Sequence, residues 1–175
     1  KQKKLDEAVV QLQDAVKNLT KADELSQNNA IVLNNLAVAN RRLKDYKTAE
    51  DLFKRALALN DTNVNANAGL ANLYLKAGKY DEANNAFSST KSCDFNYALA
   101  LILKKDYDGA KKVLDCVPTD KKDANYYYLY SVLGARTNNT EVLTSNLTRS
   151  IQLDASKKEY AKTDYEFKDF WKKPE

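Results

Sequence analysis

The sequence predicts an all-α chain built from stacked helix–turn–helix units, and three observations carry that expectation. Tyr80, Ala83 and Phe87 follow Tyr46, Ala49 and Phe53 at a common distance of 34 residues, and self-similarity at a fixed period marks a repeat architecture. Within a copy, Tyr46, Ala49, Phe53 and Ala56 recur at three- and four-residue steps, which places them on one helical face. The chain of 175 residues carries only 4 Gly and 2 Pro, so it has few obligatory breaks, which favours helices over a turn-rich sheet.

Residues 1–28 read as one long N-terminal helix. Leu12, Ala15, Leu19 and Ala22 form the stripe of a second helix in phase with the next copy, and the apolar period runs back to Leu5. The first full unit, 30–63, joins a stripe at Leu33, Leu36, Ala37 and Asn40 to the Tyr46–Ala56 stripe through a turn near Leu43–Asp45. The alanines admit a neighbouring helix closely while the rings fill the space beside them. The second unit, 64–90, repeats this with Leu70, Ala71 and Tyr74, a turn at Gly78, then Tyr80, Ala83 and Phe87. Gly78 suits that turn because it reaches positive φ without a Cβ clash.

The third unit, 91–118, is degenerate. Tyr107, Ala110 and Leu114 match the second-helix stripe after FNYALALIL, but Tyr107 follows Tyr80 by only 27 residues. Shorter helices are therefore expected around Ser88–Cys93. The fourth unit, 124–156, runs from YYYLYSVLGA to Leu143, Leu147 and Ile151, with Asn138-Asn139 at its turn, where Asn tolerates the left-handed region. Tyr160, Phe167, Phe170 and Trp171 place a last helix over 157–172 as a terminal cap. The whole, 1–175, is expected to form a single repeat domain.

These positions resemble the tetratricopeptide repeat, whose period is 34 residues. Asp61 departs from it, standing where the family has Pro, and Asn67 stands where it has Trp. The resemblance implies a right-handed superhelical stack whose concave groove, lined by the first helix of each unit, binds a protein or peptide partner. Aligning the copies puts Asn34, Arg41 and Arg42 in that groove, then Asn65, Asn72 and Lys76, then Phe95, Leu99 and Ile102, and finally Asn125, Tyr128, Val132 and Arg136. Amides can pair with an extended backbone, and the cations can hold a carboxylate. Some members clamp chaperone C-termini with Lys, Asn and Arg. The matching positions here, Asn34, Val38, Gly69, Ser92 and Asn96, lack Lys and Arg, so that partner class is not expected.

The segments FNYALALILKKDYDGAKKVLD and GARTNNTEVLTSNLTRSIQLDASKKEYAKTDYEF also resemble the tail of cell-envelope tetratricopeptide proteins from Bacteroidetes. That likeness implies a periplasmic or envelope location and a role in assembly. Cys93 and Cys116 fall at adjoining ends of the third unit's antiparallel helices, so they can form a disulfide suited to an oxidising compartment. Two free, partly buried thiols are the equal alternative.

Composition narrows the rest. Histidine is absent, which removes the commonest general base and metal ligand. No nucleophile–base pair and no Gly-rich phosphate loop is found, so no enzyme activity and no cofactor or metal is expected. Net charge is +4 without a block of like charges, which argues against nucleic acid. No apolar run approaches a membrane span. The chain begins inside a helix and contains no Met, so it is read as a fragment or processed chain. Two further readings remain at this level. One is a glycan-binding module, motivated by Tyr126, Tyr127, Tyr128 and Tyr130 beside amides. The other is a passive spacer.

Overall fold

The computed structural model describes residues 2–171. Among these are ten α-helices and two 3-10 turns, with no strand, so the all-α expectation holds. No helix of the described residues is long and apolar enough to cross a membrane.

The expected repeat array is divided. The chain packs as two compact units, Lys1–Lys91 and Ser92–Glu175, each with its own apolar core. The division falls where the repeat period runs seven residues short. There α5 (Tyr80–Ser88), α6 (Phe95–Leu103) and α7 (Tyr107–Asp115) have nine residues each.

In the first unit, α1 (Gln2–Leu25) is followed by two hairpins, α2 (Ala30–Arg42) with α3 (Tyr46–Leu59), and α4 (Val64–Lys76) with α5. Val16 and Leu19 of α1 pack on a core built from Leu33, Ala37, Ala49, Phe53, Ala66 and Leu70. Phe53 is fully buried, and burying a phenylalanine is worth about 2–3 kcal/mol. The two departures from the repeat pattern meet in this unit. Asn67 is buried, and its Nδ2 donates to the Asp61 carbonyl at 2.8 Å.

In the second unit, α6 and α7 form one hairpin, α8 (Ala124–Arg136) and α9 (Thr140–Leu153) the next, and α10 (Ser156–Thr163) follows. Gly134 lets α8 and α9 close together: a Cβ there would stand 2.5 Å from the Leu143 backbone nitrogen. Cys93 and Cys116 are joined as a disulfide with their Cα atoms 5.5 Å apart, stapling the entry of α6 to the exit of α7.

All four hairpin turns share one geometry. Lys44, Gly78, Lys105 and Asn138 have φ of 68, 73, 65 and 54°. The next amide in each case reaches back into the helix: Asp45 to Asn40, Lys79 to Tyr74, Asp106 to Leu101, and Asn139 to Gly134, at 2.8–3.0 Å. This is the left-handed helix ending with its six-to-one hydrogen bond. Glycine supplies it once. Elsewhere two lysines and an asparagine accept the strained φ because the backbone bonds hold it. Asp45, Asp106 and Asn139 then cap the following helix, accepting from the amides of Thr48, Gly109 and Val142.

The expected cap helix over 157–172 is also corrected. α10 ends at Thr163, because Asp164 takes an extended backbone and its carboxylate accepts the Glu166 amide at 3.0 Å, starting a 3-10 turn over Tyr165–Phe167. Phe167 is fully buried, whereas Tyr160 is 61% exposed, so the two do not share one apolar face. Position 172 lies outside the described residues.

Candidate functional site

The predicted groove residues of the first unit gather at the C-terminal ends of α2 and α4. Arg41, Arg42, Tyr46, Asn72 and Lys76 line one depression of about 270 Å³. The hairpin register explains this: Arg41 and Arg42 end α2, and Lys76 ends α4. Each cation also faces the negative end of its own helix. Lys76 hydrogen-bonds the Tyr46 hydroxyl, and its ammonium lies 4.1 Å from that ring's centroid. Asn72 donates to the Ala68 carbonyl at 2.8 Å.

No ion pair is found for Arg41, Arg42 or Lys76 among the described residues, although Lys54, Arg55, Lys111 and Lys162 each have a carboxylate partner. The Nε of Arg41 is buried and meets no acceptor among the described residues. An unsatisfied buried donor costs about 1–3 kcal/mol, and an anion entering the depression would meet three positive groups at once.

The remaining groove residues of this unit behave differently. Asn34, expected to face a partner, is only 8% exposed and sits in the buried stripe of α2 with Leu33 and Ala37. Its Oδ1 is buried without a donor. Asn65, in the first turn of α4, is exposed and does not line the depression.

In the second unit the groove positions of the third and fourth copies come together. Phe95, Leu99 and Ile102 of α6 face Asn125, Tyr128 and Val132 of α8 across a cleft of about 400 Å³. The segment from α10 to the 3-10 turn supplies a wall that the repeat alignment could not reveal. It brings Lys157, Tyr160, Asp164 and Glu166 to the same cleft.

Two of the predicted partner-binding residues are engaged by that wall. Tyr128 is 9% exposed and donates its hydroxyl to Asp164 at 2.6 Å. Burial, then the Asp164 carboxylate, raises its pKa above the ordinary tyrosine value. Arg136 grips Glu166 through Nε and Nη2, both at 2.5 Å, and that pairing raises the guanidinium pKa. Both residues line the cleft and at the same time support its C-terminal wall. Of the tyrosines behind the glycan reading, Tyr126 and Tyr128 belong to the core.

No group of three His, Cys, Asp or Glu stands close enough to hold a metal ion among the described residues.

Comparison with known proteins agrees with this architecture. Residues 1–62 and residues 41–96 each match the tetratricopeptide repeat. No curated protein matches the chain. Among solved structures, it is similar to residues 41–end of MamA from Desulfovibrio magneticus RS-1, with 17% identity, 83% of this chain and 86% of that one covered, and a TM-score of 0.73. A MamA RS-1 double mutant gives 18% identity, 83% and 86% coverage, and a TM-score of 0.71. YrrB, described as a TPR protein with an unusual peptide-binding site, is similar at 18% identity, 86% and 87% coverage, and a TM-score of 0.71. At this identity the likeness concerns the fold. The two repeat matches together span 1–96, more than half of the sequence, and with the four observed hairpins they make this chain a member of the tetratricopeptide-repeat family.

Proposed function

We propose that the chain is a non-catalytic scaffold that binds a protein or peptide partner, and that the first unit holds an anionic group of that partner. One observation carries this reading: Arg41, Arg42 and Lys76 converge on one depression with no carboxylate paired to them among the described residues. A partner's carboxylate would supply the missing counter-charge. The peptide-binding description of the similar protein YrrB supports the ligand class.

We also place the protein in the periplasm or cell envelope, in an assembly role. The support is the Cys93–Cys116 bridge, which persists in oxidising compartments, together with the resemblance of the C-terminal half to Bacteroidetes envelope proteins.

A pull-down from a cell-envelope extract tests the binding reading, with wild type beside Arg41→Glu/Arg42→Glu. A partner retained by wild type and lost by the double variant is expected. Equal retention by both would remove the first-unit depression from the interface.

A further inference from the structure

The two ends of the Cys93–Cys116 bridge have different surroundings. Cys93 stands just ahead of α6 and is half-buried, while Cys116 follows the last turn of α7 and is exposed. Exposed disulfides are the labile ones, because a thiolate reaches them without unfolding the chain. Cys93 also lines a cavity of about 590 Å³, inside the usual range for small-ligand sites, about 300–1,000 Å³.

That cavity is built entirely within the second unit. Phe95 in the first turn of α6, Val117 beyond α7 and Tyr126 of α8 give it apolar walls. Asp94 and Asp123 line it as well, and each carboxylate caps a helix. Asp94 accepts from the amides of Asn96 and Tyr97, and Asp123 accepts from the amide of Tyr126. Of the lining residues, Phe95, Lys121, Asp123 and Asn125 are exposed, so a solute reaches the cavity from bulk water. A partly apolar pocket therefore has one sulfur of a disulfide in its wall.

This placement gives thiol exchange an order. The thiolate is the attacking species, and one seated in the cavity meets Cys93 rather than Cys116. The new S–S bond forms at Cys93 Sγ, and the Cys93–Cys116 bond breaks. The electron pair leaves on Cys116 Sγ, at an exposed position where water solvates it. Cys116 Sγ lies 3.2 Å from the Val113 carbonyl oxygen. In the bridge that sulfur carries no proton. Once released and protonated, it can donate to Val113. The proton lost by the incoming thiol is balanced by the one that Cys116 gains, so the step needs no outside oxidant. Reversal follows the same path, with Cys116 attacking the mixed disulfide and expelling the small thiol.

We propose that Cys93 is a modification site, at which a small thiol bearing an apolar group enters this cavity and exchanges into the Cys93–Cys116 bridge. While the adduct lasts, the entry of α6 and the exit of α7 lose their covalent tie. The site goes beyond the partner-binding reading of the first unit and does not depend on it.

The test uses the oxidised full chain without denaturant and two thiols of similar basicity, benzyl mercaptan and 2-mercaptoethanol. Iodoacetamide added at early times alkylates whichever cysteine has been released, and peptide mass spectrometry locates both groups. The expected product carries the benzylthio group on Cys93 and the carbamidomethyl group on Cys116, about tenfold over the reverse arrangement. Benzyl mercaptan should react about tenfold faster than 2-mercaptoethanol, because its ring gains apolar contact in the cavity. Phe95→Ser, or Val117→Ser should that variant not fold, should bring the two rates within about twofold. Arg41→Glu/Arg42→Glu should react as wild type. Absence of exchange in the folded chain, a predominant adduct on Cys116, or equal rates for the two thiols in wild type would overturn the proposal. So would an unchanged rate ratio in a folded wall variant. Failure of the pull-down leaves this site standing.

Discussion

The hydroxyl of Tyr128 donates to the carboxylate of Asp164 at 2.6 Å, across 36 positions of sequence. That bond ties α8 to the segment following α10, and the Tyr128 ring also meets Phe167 edge-on with centroids 5.4 Å apart. A hydrogen bond to a charged group contributes about 1.5–3 kcal/mol. Tyr128→Phe keeps the ring contact and removes the bond, so it should destabilise the protein by about 1–2 kcal/mol in urea unfolding. Asp164→Asn, which retains an acceptor, should cost less. Equal stability of Tyr128→Phe and wild type would show that the bond does not anchor the wall.

Tyr130 gives the protein an alkaline dependence. Burial, then its hydrogen bond to Asp115 at 2.7 Å, pushes its pKa up to about 12. The unfolded phenol titrates near 10, so folding favours the protonated form. The contribution is fully present below about pH 10 and is lost as pH rises from there through about 12. Melting temperatures measured from neutral to strongly alkaline pH should therefore fall across that window. Tyr130→Phe should flatten part of the fall, and an unchanged profile in the variant would refute the assignment.

The staple between Cys93 and Cys116 closes a loop of sequence separation 23. Constraint of the unfolded chain by a loop of this size is worth roughly 3 kcal/mol. Cys93→Ser/Cys116→Ser should lower the stability of the second unit by about that amount. Reductant should shift the melting of wild type and leave the double variant unmoved. Titration of the denatured, unreduced protein should find no free thiol, and two thiols would exclude the bridge.

Lys105 holds a left-handed φ of 65° between α6 and α7. A residue with a Cβ pays about 1–2 kcal/mol in that region, and glycine escapes it while losing more entropy on folding. Lys105→Gly should therefore stabilise by roughly 0.5–1 kcal/mol. The corresponding change at Lys44, φ 68°, should act likewise. Destabilisation in thermal melts would mean that the lysine side chains make contacts outweighing the backbone relief.

Much of the fold was legible because it is local. The 34-residue echo of Tyr46, Ala49 and Phe53 identified paired helices, and the short interval from Tyr80 to Tyr107 foretold that α5 and α6, on either side of Ser88–Cys93, are short. The lysine-bearing turns were less legible, since Lys44 and Lys105 carry no turn signal of their own and their geometry is held by backbone bonds. In the candidate site, alignment brought Arg41, Arg42 and Lys76 to corresponding helix ends, and the structure places them in one depression. Asn34 could not be assigned that way, because one helical step separates a groove position from a buried one, and Asn34 falls on the buried side.

By itself, then, the sequence determined the helical period, the hairpin pairing and the absence of histidine chemistry, all of which depend on residue type and spacing. Tertiary structure alone decided that Tyr128 bonds Asp164, that Glu166 neutralises Arg136, and that Lys157 faces Asn125. These pairings join residues about thirty positions apart and carry no periodic signal. They arise only once the C-terminal segment has folded back against α8.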